Sequence, residues 1–195
     1  MPGDIALGFR VKSGFAIAIV LSGTTTAPIA LARRIVQLSD PGVEGTRQPY
    51  HDGFGTAQED LKEIARLSQI IHRCAKRSVD DLLSDPPLAG ARCRGAGLVV
   101  GSVIDPAKVG NQHIRAHANE GRLFRTVLEA ALSERGVACA VIVEKTLARQ
   151  AAETLHRSGG QIAKVAGSLG AALAGPWRAE EKAAATAAWM LLSKS

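Results

Sequence analysis

The sequence predicts an α/β fold with one mixed sheet of five strands, in which three antiparallel strands are followed by two parallel ones and helices flank the sheet. Two observations favour this class. Alternating and β-branched apolar residues open the chain with no helical pattern between them, which is typical of an antiparallel meander. Two later apolar segments, residues 95–104 and 137–143, each follow a helical pattern, as parallel strands joined by helical crossovers do.

Residues 5–38 predict the meander. In the first strand, Ile5, Leu7 and Phe9 alternate with small or polar residues, and the second strand, from residue 15 to 21, is richer in β-branched side chains. A tight hairpin turn at residues 12–14 joins them, because its glycine tolerates positive φ. The third strand is predicted over residues 28–38.

A polar loop and a helix follow. Residues 40–55 contain too many glycine and proline residues for a regular element, and a loop of this length is usually functional. Thr56 is expected to cap a helix whose apolar residues recur at helical spacing from Leu61 to Leu83. Asp85-Pro86-Pro87 is expected to end it.

The remaining chain alternates between buried strands and helices. The apolar segment 95–104 predicts a strand covered on both faces, and a wide apolar stripe predicts a helix over about residues 116–135. A second buried strand is predicted over 137–143. Three helical segments complete the chain, over residues 147–157, 161–173 and 179–192.

Composition is that of an ordinary globular protein, 46% hydrophobic and 22% charged. No linker or repeat divides the chain, so one domain over residues 1–195 is expected. The first residues lack a signal-peptide pattern and no segment approaches the roughly 18 apolar residues of a membrane span, so we expect a cytoplasmic protein. The three cysteines form no CxxC pair, which favours reduced thiols over disulfides or a zinc cage, with Cys139 in the core.

The net charge of +6 favours an anionic partner, either nucleic acid or a phosphorylated small molecule, although diffuse charge also serves solubility. Aromatic residues make up only 4% of the chain, which leaves little for base stacking. Trp177 is expected to anchor the last helix rather than to stack on a base. Any nucleic-acid binding should therefore tolerate many sequences and depend strongly on salt.

The order of elements resembles the ribonuclease H superfold. The opening Ala6-Leu7-Gly8-Phe9-Arg10, the fourth strand, and the last helix with Glu180-Glu181 resemble the Holliday junction resolvase branch in placement. The segments 48–51 (Gln-Pro-Tyr-His) and 113–117 (His-Ile-Arg-Ala-His) are similar to segments of uncharacterised bacterial proteins of this size. The resemblance implies a ribonuclease H-like fold in a bacterial protein.

The resemblance also implies where an active site would lie. Enzymes of this superfold place acidic residues at the ends of the first and fourth strands and on the last helix, where they hold two divalent cations. Here Arg10 stands at the first-strand position, and its charge would repel the metals. The remaining acidic candidates are Asp105 after the fourth strand, Glu144 after the fifth, and Glu180 or Glu181 on the last helix. Alternatively, Asp105 forms a turn and the glutamates are solvated.

His113 and His117 lie four residues apart, with Arg115 between them. On a helix start the two rings face one way and could bind a metal or a phosphate, and the positive helix N-terminus favours an anion. The local sequence offers no third ligand. The alternative is a polar helix entry capped by Asn119 or His117.

The polar loop is dense in binding groups. Arg47, Tyr50 and His51 are predicted ligand contacts, because binding residues concentrate on loops held by a rigid scaffold. Alternatively, Tyr50 covers the end of the sheet and His51 is hydrogen-bonded to the backbone.

The leading hypothesis is a ribonuclease H-like protein without nuclease chemistry and without a cofactor, which binds or regulates a phosphate-bearing ligand or nucleic acid. Its expected contact groups are Arg10, Arg47, Arg115 and His117. The alternative is a Mg²⁺- or Mn²⁺-dependent phosphodiesterase or nuclease related to Holliday junction resolvases. Its expected catalytic residues are Asp105, Glu144 and Glu181. A third possibility is a structural subunit whose Ala-rich helices form a homodimer or larger oligomer.

Overall fold

A computed structural model describes residues 4–53, 56–86 and 88–193. Gly55 of the predicted loop and Pro87 of the predicted helix stop lie outside the described residues. The strands are β1 (Ile5–Lys12), β2 (Phe15–Gly23), β3 (Pro28–Gln37), β4 (Cys93–Val100) and β5 (Cys139–Val143). They form one sheet in the order β3-β2-β1-β4-β5. The first three strands pair antiparallel, and β4 and β5 are parallel to β1, which confirms the predicted mixed sheet.

Helices cover both faces of the sheet. They are α1 (Leu61–Ser84), α2 (Gln112–Glu134), α3 (Glu144–Leu155), α4 (Gly159–Ser168) and α5 (Ala179–Leu191), with short 3₁₀ helices at Pro106–Lys108 and Leu169–Ala172. Among the described residues, no helix is both long and apolar enough to cross a membrane.

Two helices begin elsewhere than the sequence predicts. Asp60, not Thr56, caps α1, because its side chain accepts hydrogen bonds from the first free backbone N–H groups of that helix. Helix α2 begins at Gln112 rather than near residue 116. The side chain of Asn111 accepts the N–H of Ile114 and caps α2, so the predicted caps Asn119 and His117 are wrong. This earlier start places both His113 and His117 inside the helix.

Strand β4 is shorter at its end than predicted, stopping at Val100 instead of residue 104. Its last residue pairs with Val143, the last residue of β5, so the chain beyond has no neighbouring strand on that side. Cys139, predicted in the core, is half-buried at the start of β5 and packs against the core, and burial raises the pKa of its thiol to about 11. Trp177 donates a hydrogen bond to the carbonyl of Ala166 in α4, which anchors the segment leading into α5.

The two faces of the sheet carry separate apolar cores. Helices α1 and α2 cover one face with side chains such as Ile71 and Phe124, which are completely buried. Helices α3, α4 and α5 cover the other face, with Trp189 buried in it. Helix α5 lies so close to the sheet that a Cβ at Gly8 would overlap the carbonyl oxygen of Ala184. The glycine in the first strand therefore permits the packing of α5.

Four strand ends meet at one edge of the sheet, here named the carboxyl edge. Strands β1, β4 and β5 are parallel, so their ends share this edge. Lys12, at the end of β1, pairs with Phe15, which pairs with Gln37 at the end of β3. Two loops therefore begin at this edge: residues 38–60, between β3 and α1, and residues 101–111, between β4 and α2. Open α/β sheets bind ligands at such edges.

Candidate functional site

Arg10 lies near the end of β1 and is buried, with 6% of its surface exposed. Its Nη2 donates to Oε2 of Glu144 at 2.6 Å, and its Nη1 donates to the carbonyl oxygens of Val11 and Val99 at 3.3 and 3.4 Å. Glu144 is the first residue of α3, directly after β5. The charge of the buried Arg10 is thus compensated by Glu144, whose side chain is half-exposed. This differs from the expectation that Arg10 is an open contact for an external anion.

Glu181 is also held by an arginine. It is 2% exposed, and Nε and Nη2 of Arg33 donate to its Oε1 at 3.0 and 2.8 Å. The backbone N–H of Arg178 donates to its Oε2 at 2.9 Å. Burial raises the pKa of Glu181, but these hydrogen bonds outweigh burial and hold the pKa below its ordinary value. Glu181 is therefore an ionised partner of Arg33, and this ion pair joins α5 to β3.

The other acidic candidates have local partners. Asp105 accepts the N–H of Ala107 at 3.1 Å and caps the first 3₁₀ helix, as its turn-forming alternative predicts. Glu180 lies 3.5 Å from Nζ of Lys12. Within the described residues, the group of His, Cys, Asp or Glu side chains close enough to share a cation consists of histidines and not of these carboxylates. The catalytic roles of Asp105, Glu144 and Glu181 stay predictions.

Three histidines meet between the polar loop and α2. The ring centroid of His51 lies 5.3 Å from that of His113 and 4.5 Å from that of His117, and the latter two are 4.6 Å apart. One ring nitrogen from each histidine lies within 4.8 Å of those of the other two. The loop after β3 thus supplies the third residue that the sequence around α2 lacks.

Backbone hydrogen bonds within the loop position His51. Residue 51 forms an antiparallel bridge with Ala57, and the N–H of Gln58 donates to the carbonyl of Tyr50 at 2.9 Å. Earlier in the loop, the buried hydroxyl of Thr46 bonds to the carbonyl oxygen of Asp40 at 2.8 Å. These contacts fix the conformation of the loop without a regular strand or helix.

Sequence reasoning misses Glu120, which lies behind the histidines. It is 1% exposed, its Oε1 is 2.7 Å from Nδ1 of His51, and its Oε2 is 3.6 Å from Nδ1 of His117. The sequence does contain a signal for Glu120, because residues 113, 117 and 120 follow the i, i+4, i+7 spacing of one helix face. A carboxylate on that face is the natural partner of the imidazole N–H groups.

The other predicted contacts line two shallow cavities beside the histidines. Arg47 and His51 line one of about 690 Å³. Tyr50 and Arg115 line another of about 210 Å³. Burial raises the pKa of Tyr50, and the nearby charge of Arg122 opposes that rise. In the part of the chain that the structure describes, neither Arg47 nor Arg115 pairs with an acidic side chain.

The structure therefore brings six of the seven predicted ligand contacts to one surface, here named the loop–α2 surface. Its predicted members are Arg47, Tyr50, His51, His113, Arg115 and His117. Arg10 lies at the same edge of the sheet but is buried in its ion pair.

No known family model matches the sequence, and no curated protein matches it. Among solved structures, the chain is similar to Thermus thermophilus RuvC, with 10% identity, a TM-score of 0.56, and coverage of 95% of this chain and 92% of that one. It is also similar to T. thermophilus RuvC in complex with Holliday junction substrate, with 11% identity, a TM-score of 0.55, and coverage of 95% and 90%. These likenesses show the fold: the chain is ribonuclease H-like and resolvase-like in architecture, as the order of its elements predicts.

Proposed function

We propose that this protein is a ribonuclease H-like domain that binds the phosphate backbone of nucleic acid and does not cleave it by two-metal chemistry. The ion pair between Arg10 and Glu144 carries the proposal. Enzymes of the superfold that the sequence resembles need a carboxylate at the end of the first strand to hold divalent cations. This chain has a guanidinium there, and that guanidinium engages a carboxylate of the neighbouring element.

Electrostatics oppose a divalent cation beside Arg10. At 4 Å and an effective dielectric constant of about 20, two unit charges of like sign repel each other by about 4 kcal/mol, and a divalent ion doubles this. A metal that recruited Glu144 would also have to replace a hydrogen bond of 2.6 Å to a buried arginine. Both effects disfavour the arrangement of two cations that phosphodiester cleavage requires.

The loop–α2 surface supplies cations for phosphate binding. Arg47 and Arg122 are exposed, Arg115 is half-buried, and none of the three forms an ion pair with a described acidic side chain. Arginine is suited to phosphate because its donors form a planar fork. The similar RuvC structure is a complex with a Holliday junction substrate, which supports nucleic acid as the partner class.

Binding and cleavage assays on labelled four-way and linear DNA test the proposal. We expect binding without an added divalent cation, and no cleavage after Mg²⁺ or Mn²⁺ is added. Arg115→Ala should weaken binding by roughly fivefold, because a phosphate contact to a charged group contributes about 1 kcal/mol or more.

Lys164→Ala is the matched control, since it removes one exposed positive charge from α4 on the opposite face of the sheet. Its affinity should stay within twofold of the wild type. Equal losses in both variants would show that only net charge matters, and metal-dependent cleavage by the wild type would establish the phosphodiesterase alternative instead.

A further inference from the structure

The spacing of two histidine nitrogens matches a metal site. The Nε2 atoms of His113 and His117 are 3.2 Å apart. In a tetrahedral zinc site with Zn–N distances of about 2.0–2.1 Å, two ligand nitrogens lie about 3.3–3.4 Å apart. A ring nitrogen of His51 lies within 4.8 Å of both, so His51 is placed to supply a third nitrogen. This spacing also suits a hydrogen bond between the two rings, so His51 and Glu120 distinguish a metal site from a histidine pair.

The buried environment of His51 suits this residue to act as a metal ligand. Its side chain is 6% exposed, and its Nδ1 donates to Oε1 of Glu120 at 2.7 Å. That hydrogen bond leaves the lone pair on Nε2. The Nε2 atom is buried and has no hydrogen-bond partner among the described residues. A buried polar atom without a partner is costly, and a metal ion at this point would remove the cost.

Glu120 supplies the charge that a cation needs. It is 1% exposed, its Oε2 has no hydrogen-bond partner among the described residues, and its described ion-pair partners are His51 and His117 alone. A buried carboxylate that contacts imidazole rings is costly unless a positive charge compensates it. A dication held by those imidazoles would compensate it, and carboxylates commonly orient metal-binding histidines in this way.

We propose that His51, His113 and His117 bind one Zn²⁺ ion and that Glu120 is the positioning residue for this site. Three imidazole nitrogens suit zinc, whereas Mg²⁺ and Ca²⁺ prefer oxygen ligands. His113 and His117 are exposed, so a fourth position faces solvent and is open to water or a ligand. The proposed zinc site uses none of the carboxylates expected at the ends of the strands. Zinc binding at this site does not require nucleic-acid binding.

Zinc titration of untagged protein tests the proposal. After removal of metal with a chelator, the protein is titrated with Zn²⁺ in competition with a chromophoric chelator, and bound metal is counted after dialysis. We expect one zinc per chain and no competition from millimolar Mg²⁺. Addition of Co²⁺ instead should give the intense visible absorption of four-coordinate cobalt.

Variants of the exposed ligands are decisive, because these side chains do not hold the core together. His113→Ala and His117→Ala should each weaken zinc binding by at least about 100-fold, and Glu120→Gln by about 10–100-fold. His72→Ala removes an exposed histidine from α1 and should bind zinc as the wild type does. Zinc should raise the Tm of the wild type and of His72→Ala but not of His113→Ala.

Circular dichroism of the metal-free proteins separates loss of a ligand from loss of the fold. If the variant of the buried Glu120 unfolds, His113→Ala and His117→Ala still decide. Failure of the wild type to bind stoichiometric zinc would overturn the proposal. So would unchanged zinc affinity in both His113→Ala and His117→Ala, or an equal loss in His72→Ala.

Discussion

Two arginines engage two of the three acidic side chains that the sequence offers for catalysis. Arg10 pairs with Glu144 at the strand ends, and Arg33 pairs with Glu181 beneath α5. Each guanidinium engages a carboxylate that the phosphodiesterase alternative assigns to catalysis. Because a bonded carboxylate must give up its partner before it can bind a cation, both pairs disfavour metal binding by these groups.

The Glu181 ion pair predicts a pH-dependent stability. The folded-state pKa of Glu181 lies below its ordinary value of 4.5, so the unfolded chain binds the proton more readily. Its stabilisation is therefore present above the unfolded pKa and is lost as the pH falls through the folded pKa. Glu181→Gln should lower the free energy of unfolding at pH 7 by about 2 kcal/mol. As the pH falls, the free energy of unfolding of this variant should decrease less steeply than that of the wild type.

Urea unfolding at pH 7 and pH 3.5 measures both effects. Glu153→Gln is the control, because Glu153 pairs with Arg149 on the exposed side of α3 and both side chains are more than half exposed. Such surface pairs contribute little to stability. If the two variants lose equal stability at pH 7, Glu181 does not have the structural role assigned to it.

Strands and helices were largely predictable because each is encoded by a local period. The alternating residues of β1 and the apolar runs of β4 and β5 define the sheet, and the observed bounds differ by a few residues. The errors have physical causes. The end of β4 depends on where its neighbour stops, as the pairing of Val100 with Val143 shows. The start of α2 depends on capping by Asn111, which precedes the apolar stripe of that helix.

The site was only half predictable. His113 and His117 are marked by helical spacing, and Glu120 follows on the same face. His51 lies in the preceding loop, and its contact with Glu120 spans 69 residues of sequence. No local period encodes such a contact, because it depends on the conformation of an irregular loop. The ion pair between Arg10 and Glu144, which are 134 residues apart in sequence, could not be predicted for the same reason.

The close packing of α5 on the sheet predicts opposite effects for two glycine substitutions. Gly8→Ala should lower the free energy of unfolding by about 3 kcal/mol, because its Cβ would overlap the backbone of Ala184 and α5 would have to shift. Gly121→Ala, in α2, meets no atom within 4 Å and should raise it by about 0.5–1 kcal/mol. Urea unfolding of both variants is the measurement. A Gly8→Ala variant as stable as the wild type would show that α5 packs less closely than described.

At the scale of the whole molecule, topology brings the chemically active residues to one edge. The ends of β1, β3, β4 and β5 share it, and the polar loop and the start of α2 extend from it. The net charge of +6 acts in addition to this local arrangement. A protein with few aromatic residues, and with arginines at one edge that form no ion pair with a described acidic side chain, is suited to bind a polyanion through its backbone.

The salt dependence of nucleic-acid binding separates local contacts from net charge. Each phosphate contact to duplex DNA releases counterions and adds about 0.9 to the slope of log K against log salt. The double variant Arg47→Ala, Arg115→Ala should therefore reduce the magnitude of that slope by about 2.

Scrambling the DNA sequence should change the affinity of the wild type by less than about threefold, since scarce aromatic residues leave little base stacking. Lys164→Ala should keep the wild-type slope, because its charge lies on the other face of the sheet. An affinity that hardly changes between low and physiological salt would mean that the partner is not held through phosphates, and the loop–α2 surface would then require a ligand of different chemistry.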